Sequence, residues 1–317
     1  MKNYLFTVLF AFALSLVFCL FLIPILRKLK AGQNILVYVK EHKNKSGTPT
    51  MGGLAFIIAA ILASLIFIPK IDRTALLTIV TGLAYMCVGL LDDFLKQRHK
   101  QNLGLKAWQK FVFQFLIACL ISIFCYRNGF SRLYLPFFGG KIELGAWCIP
   151  FIIFVFLATV NAVNLTDGLD GLAAGVSIPF FLALAVIICL EAGDSSQAII
   201  CFSLVGALIA YLLFNASPAT VFMGDTGSLA LGGFAACIAV FTGNALYIAV
   251  IGVMFVLSVI SVILQVIYYK ATGGKRIFLM SPLHHHFQKK GYSETKIAYA
   301  YFTVTIILGI IAIVCIL

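Results

Sequence analysis

Long apolar runs, rather than alternation, organise this chain. Ten stretches are almost wholly apolar: 4–26, 52–69, 74–92, 109–126, 147–163, 172–190, 198–214, 226–242, 246–268 and 297–317. Each is about 17–23 residues long, enough for a helix to cross the hydrocarbon of a bilayer. The expected fold is therefore all-α, a polytopic membrane protein with ten transmembrane helices forming one domain over residues 1–317. Between the fourth and fifth runs, Ser131–Gly145 alternates apolar and polar residues about Gly139-Gly140. That pattern predicts a small external β-hairpin, with an irregular loop as the alternative. The first run ends in Ile23-Pro24-Ile25-Leu26, passes straight into a basic segment and has no small-residue cleavage site. It reads as a retained helix rather than a signal peptide.

Composition narrows the class further. Of the 317 residues, 62% are hydrophobic and 11% charged, and the mean hydropathy is +1.07. A soluble domain carries about 25% charged residues. The nine cysteines fall mostly inside apolar runs and form no CxxC pair, which argues against a disulfide framework or a zinc site. The net charge of +12 is unevenly placed. All 23 basic residues except Lys2, Lys70, Arg73, Arg127, Arg132 and Lys141 lie in or beside the odd-numbered loops. The positive-inside rule puts those loops in the cytoplasm and both termini outside.

Against this background the acidic residues stand out. Asp92 and Asp93 close the third run, Asp167 and Asp170 lie where the fifth run meets the sixth, and Asp225 opens the eighth. All five map to the basic side. Ionised groups so near hydrocarbon are costly and mark functional sites. Asp92-Asp93 also oppose the helix macrodipole at a C-terminus. Neighbouring helical residues point about 100° apart, so one carboxylate can face a metal or acceptor while Lys96 holds the other. Asp167 and Asp170, three apart, would share a face if helical, although helix capping by one of them is an alternative. Asp167-Gly168-Leu169-Asp170-Gly171 lacks EF-hand spacing, and Asn164-Leu165-Thr166 on the cytoplasmic side carries no weight as a glycosylation sequon. Phe222, beside Asp225, offers a flat ring on which a base could stack.

The ninth loop carries His284, His285 and His286 with Lys275, Arg276, Lys289 and Lys290. Consecutive helical histidines do not converge easily on one zinc ion. The loop suits phosphate binding or contact with anionic lipid. Magnesium prefers oxygen ligands and bridges a few carboxylates to substrate phosphates. Carboxylates and basic loops in an apolar surround point to magnesium-dependent phosphoryl transfer involving a lipid.

Five segments carry a resemblance over essentially the whole chain: Thr48-Pro49-Thr50-Met51-Gly52-Gly53, Asp92-Asp93-Phe94-Leu95-Lys96, Asn161 through Ala173, Phe222 through Gly233, and Pro282-Leu283-His284-His285-His286-Phe287. On these the chain resembles the polyprenyl-phosphate N-acetylhexosamine-1-phosphate transferases. The triple-His element is similar to that of their muramoyl-pentapeptide branch. Gln288 departs from the Glu expected after Phe287, which leaves that position's role open.

The resemblance implies a homodimer of ten-helix chains in the bacterial plasma membrane, with a cytoplasm-facing cleft. The reaction it implies moves phospho-N-acetylmuramoyl-pentapeptide from UDP-MurNAc-pentapeptide to undecaprenyl phosphate, giving UMP and lipid I in peptidoglycan synthesis. It makes Asp225 the Mg2+ ligand and puts Asp92 and Asp93 beside the metal and the lipid phosphate. Asn164 and Asp167 line the nucleotide-sugar site, with Lys96 also on the substrate side. Lys45, Asp170, Asn215 and Phe222 contact the uridine part. Gln265, His284, His285 and His286 close the pocket, His286 counting as catalytic. Nucleoside antibiotics are expected competitors, and no nucleic-acid partner is expected. Two alternatives are a sister enzyme transferring GlcNAc-1-phosphate, against which the triple-His loop argues, and a proton-coupled transporter. Transporters place ionisable groups near the midplane within broken, repeated helices, unlike the helix-end pattern here.

The charge asymmetry makes a direct prediction. Cysteines introduced at Asn44, Lys100 and Lys289 should be protected from membrane-impermeant thiol reagents in intact cells, whereas cysteines at Asn128 or Gly139 should react. Labelling at position 289 in sealed cells contradicts the orientation.

Overall fold

The structure, a computed structural model, describes residues 2–29, 47–98, 104–193 and 195–317. Among them the elements run α1 (Lys2–Lys28), α2 (Gly53–Phe67), α3 (Arg73–Arg98), α4 (Ala107–Arg127), β1 (Arg132–Leu135), β2 (Gly140–Glu143), α5 (Cys148–Thr166), α6 (Leu172–Ala192), α7 (Ser196–Asn215), α8 (Gly224–Phe241), α9 (Tyr247–Ile251), α10 (Val253–Ala271), α11 (Leu283–Lys289) and α12 (Glu294–Val314).

Nine of the described helices are long and apolar enough to cross a membrane. This is the all-α polytopic architecture expected, with two differences. The second apolar run forms a helix of only 15 residues, roughly 22 Å at 1.5 Å per residue. The ninth run is not one rod: it breaks at Gly252 into α9 and α10. The expected hairpin is present. β1 and β2 pair antiparallel with Arg132 opposite Glu143 and Leu135 opposite Gly140, and Arg132 Nε meets Glu143 Oε1 at 3.1 Å.

The centre of the bundle is α8, buried from Thr226 to Phe241. It packs most extensively against α3 and then α5. Its run of Gly, Ala and Ser allows this, because small residues let helix backbones approach closely where no hydrophobic force drives association. The clearest case is α2 against α8: a Cβ on Gly53 would run into the backbone of Gly227. Around this centre, α1, α4, α10 and α12 turn large apolar side chains outward, among them Phe6, Phe21, Leu120, Ile267 and Ile310. Such continuous apolar surface is what a bilayer covers.

The packing at Gly53 predicts a sharp contrast. Gly53→Ala should lower stability by about 1–3 kcal/mol through overpacking. Gly175→Ala in α6, where an added Cβ meets nothing within 4 Å, should be neutral or stabilising by up to about 1 kcal/mol. Thermal unfolding in detergent reads both, and equal midpoints for the two variants contradict the packing described.

Candidate active site

The site starts from two adjacent carboxylates that the helix turns apart. Asp92 and Asp93 sit near the end of α3. Asp92 Oδ2 meets Lys96 Nζ, one turn on, at 2.6 Å, and its Oδ1 accepts from Leu105 N at 2.7 Å. Asp93 faces the start of α8. The first N–H groups of a helix have no partner within it, and α8 has no side-chain cap of its own. Asp93 supplies one from another helix. Its carboxylate accepts from Asp225 N at 3.2 Å, Thr226 N at 3.0 Å and Thr226 Oγ1 at 2.7 Å. The group is 1% exposed. The approach requires Gly224, whose φ is +71° and whose missing Cβ would strike Asp93 and Thr50.

That cap fixes Asp225 in the first turn of α8, where the macrodipole favours a negative charge. Asp225 Oδ2 accepts from Lys96 at 2.9 Å and Lys110 at 2.7 Å. Its Oδ1 accepts from Asn164 Nδ2 at 2.8 Å, and the same amide reaches Ser228 Oγ at 2.8 Å. Ligand oxygens of Asp92, Asp93 and Asp225 lie within 4.8 Å of one another. Three carboxylates and two partly exposed ammonium groups thus form one cluster. The hard oxygen donors suit a divalent cation that takes its remaining ligands from phosphate. Asp225, the most exposed of the three carboxylates, fits that part best.

The α5–α6 connection forms the next wall. Residues 167–171 are not helical, so Asp167 and Asp170 do not share a helix face, and neither caps α6, whose N-cap is Gly171. Burial, then the charges of Asp225, Asp93 and Asp170, push the Asp167 carboxyl up to about 8. Asp170 Oδ2 accepts from Ala219 N at 3.0 Å, and Asp170 N donates to Glu294 Oε2 at 3.1 Å. The α7–α8 connection is further held by Asn215, buried, whose Nδ2 donates to Val221 O at 3.0 Å. Phe222 is half-buried, and its backbone pairs with Pro49 O at 2.8 Å and Gly52 N at 2.9 Å.

Loop nine closes over this wall through α11. His284 is wholly buried and stands against Gly168, with no hydrogen-bond partner for either ring nitrogen among the described residues. His285 Nδ1 lies 3.0 Å from Gln288 Oε1, and Gln288 Nε2 reaches Glu294 Oε1 at 3.4 Å. His286 turns back into the loop, its Nδ1 accepting from Leu279 N at 3.1 Å. Gln265 is buried and accepts from Ile277 N and Phe278 N at 3.2 and 3.0 Å.

The structure therefore joins Asp92, Asp93, Lys96, Asn164 and Asp225 in one network and brings His284 and His285 against Gly168, next to Asp167. Asp170 and Asn215 hold the segment leading to Phe222, while Gln265 and His286 hold loop nine in shape. Lys45 lies outside the described residues. Sequence reasoning missed Lys110, which it counted only as loop charge, and the capping partner Thr226. A lysine at the mouth of the fourth run was the available signal for the first.

Residues 75–243 match the family model described as glycosyl transferase family 4. Residues 45–57 match phospho-N-acetylmuramoyl-pentapeptide-transferase signature 1. The chain is 45% identical over 307 residues to the phospho-N-acetylmuramoyl-pentapeptide-transferase of Caldanaerobacter subterraneus subsp. tengcongensis, covering 96% of each. It is 44% identical over 292 residues to that of Clostridium perfringens (strain 13), covering 92% of each. With that of Clostridium novyi it shares 44% over 314 residues, 98% of this chain and 96% of the relative. The chain belongs to the phospho-N-acetylmuramoyl-pentapeptide-transferase family. The longer match encloses every member of the lysine–carboxylate network, from Asp92 to Ser228. The signature covers the Pro49–Gly53 segment that pairs with Phe222 and Met223 in this transferase. The histidines of loop nine lie beyond both.

His284 gives the site a pH signature. Burial, then the neighbouring His285, push its imidazole down to about 3, below the usual value near 6.5. The folded state therefore disfavours the charged form. Its contribution is complete above about pH 6.5 and is lost as pH falls towards 3, at about 1.4 kcal/mol per unit. His284→Phe removes the titration without stranding a hydrogen-bond partner. Between pH 7 and pH 5, native protein should lose about 2 kcal/mol more stability than the variant. Equal acid sensitivity in thermal unfolding contradicts this placement.

Proposed function

We propose that this chain transfers phospho-N-acetylmuramoyl-pentapeptide from UDP-MurNAc-pentapeptide to undecaprenyl phosphate, releasing UMP and forming lipid I. The observation that carries the reading is the lysine-bridged carboxylate cluster at the mouth of a membrane bundle, in a chain whose relatives bear that activity's name. The excess of basic residues on the same side supports a site facing the cytoplasm of a bacterial cell.

Two anions must meet. An oxygen of the lipid phosphate attacks the sugar-bearing phosphorus of the donor. The bond from that phosphorus to the bridging oxygen breaks, and UMP leaves with the electron pair. Lys96 and Lys110, already directed at Asp225, offset the repulsion and stabilise charge on the bridging oxygen. Asp225, with Asp92 beside it, would hold Mg2+. Bound there, the ion supplies further neutralisation of both phosphates.

The reading favours direct attack over a phosphosugar-enzyme intermediate. Asp93 is buried in its three bonds to α8, and Asp92 is held by Lys96 and Leu105 N. A phosphate monoester is largely dianionic at pH 7, so it needs no strong base. Asp92 then positions the acceptor, and Asp93 acts through α8. Asn164 and Asp167 line the nucleotide-sugar side. Phe222 stacks on uracil, supported by Asp170 and Asn215, with Lys45 on the same nucleotide. Loop nine, through Gln265 and the three histidines, covers the donor. Nucleoside antibiotics compete at the uridine part, and the working unit is a homodimer.

Purified protein given both substrates and Mg2+ should release UMP, and should prefer UDP-MurNAc-pentapeptide to UDP-GlcNAc. Asp225→Asn should lose at least about a hundredfold in kcat, as expected when a preorganised charge is removed, while keeping its fold because Asn suits helix starts. Normal turnover with normal Mg2+ dependence in that variant ends the proposal.

A further inference from the structure

Of the two lysines on Asp225, Lys96 is placed by its own helix, one turn from Asp92. Lys110 is carried there by α4, a peripheral helix that turns Trp108, Phe111, Leu116 and Leu120 outward. Between Ala107 and Leu116 only Gln114 is buried. Apolar packing cannot fix the rotation of such a helix, because lipid tails are as apolar as its side chains. Directional bonds must do so, and Gln114 makes them to two other helices. Its Oε1 accepts from Asn161 Nδ2 of α5 at 2.8 Å, and its backbone O accepts from the Tyr85 hydroxyl of α3 at 3.1 Å. The same Asn161 nitrogen donates to Leu157 O at 2.8 Å, so both its hydrogens are committed and its orientation is fixed.

We propose that Gln114 is a positioning residue for Lys110: its bonds to Asn161 and Tyr85 set the rotation and depth of α4, so that the Lys110 ammonium meets the donor's bridging oxygen. The proposal rests on the transferase reading above. Lys110 and Gln114 stand four apart on α4, and Asn164 and Asn161 three apart on α5, so each pair shares a helix face. One turn nearer the site than the Gln114–Asn161 bond, Lys110 Nζ reaches Asn164 Oδ1 at 3.4 Å and Asp225 Oδ2 at 2.7 Å. The two pairs are consecutive rungs between α4 and α5. On the other side of Lys110, Leu105 N is tied to Asp92 Oδ1 at 2.7 Å, but Leu105 precedes the helix and sets no rotation. The lower rung also has a cost. Gln114 Nε2 is buried with no hydrogen-bond partner among the described residues, a penalty that an apolar side chain would avoid. A polar group kept at such a place in a membrane bundle points to a role in function.

The test is a double-mutant cycle on the whole chain in detergent, with both substrates and Mg2+, reading kcat from UMP release. Gln114→Met keeps the length of the side chain and removes the rung. Its kcat should fall about tenfold, as expected when a catalytic charge shifts by a fraction of an ångström. Lys110→Met alone should cost about a hundredfold. Added to Lys110→Met, the Gln114→Met change should cost no more than about twofold further, because it acts through that lysine. Ser122→Ala, two turns deeper on the buried face of α4 and bonded only locally to Cys119 O, should keep native kcat. If Gln114→Met does not fold, Tyr85→Phe, which loses one hydroxyl, takes its place in the cycle with the same criterion. Losses that multiply in the double variant make Gln114 a packing residue and overturn the proposal, as does native kcat in Gln114→Met. Native kcat in Lys110→Met overturns the part given to that lysine, and this proposal with it. Turnover of UDP-GlcNAc with UDP-MurNAc-pentapeptide refused sinks the muramoyl reading alone, since the cycle is then read with UDP-GlcNAc as donor.

Discussion

The site depends on one interaction, the capping of α8 by Asp93. A carboxylate from α3 takes the place of the N-cap that α8 lacks, satisfying two backbone N–H groups and the Thr226 hydroxyl at once. Hydrogen bonds to a charged group contribute about 1.5–3 kcal/mol each, and burial in the apolar bundle leaves the group no water to turn to. The consequence is positional. With the start of α8 fixed to the end of α3, Asp225 can face only the space that Lys96, Lys110 and Asn164 occupy. The small residues along α8 allow this closeness, and Gly224 allows the last approach.

Charge balance is the second constraint. Three carboxylates so close together repel one another, and at the edge of hydrocarbon the repulsion is poorly screened. Lys96, which bridges Asp92 and Asp225, and Lys110, which pairs with Asp225, offset it. The same lysines are what an incoming diphosphate needs, so the arrangement that holds the cluster together is also preorganised for anions. In this account the carboxylates set positions and charge, and the phosphoryl group passes directly from donor to acceptor.

Much of this was legible in the sequence because its causes are local. Apolar run length predicts the spans. The 100° step between Asp92 and Asp93, with Lys96 one turn later, predicts that one carboxylate is held by the lysine, as Asp92 is. The Gly139-Gly140 turn predicts the hairpin. What was not legible has non-local causes. Asp93 meets α8 across 132 residues of chain, and no pattern near residue 93 announces it. Lys110 looks like any basic residue at a membrane surface until α4 brings it to Asp225. Two departures have local causes that run length alone passes over: α2 ends at Ile68, extended ahead of Pro69, and the ninth run breaks at a glycine, Gly252. Asp167 and Asp170 lie three apart, as on a helix face, yet the glycines between and after them let the chain turn instead.

The central claim, direct transfer at a cluster whose carboxylates are already engaged, is tested by withholding the acceptor. Enzyme at known active-site concentration is mixed with UDP-MurNAc-pentapeptide and Mg2+ without lipid phosphate, and UMP is followed on the timescale of one turnover. The account predicts no UMP until lipid phosphate is added. A burst of about one UMP per active site, lost in Asp92→Asn or Asp93→Asn, means a carboxylate attacks first and contradicts it.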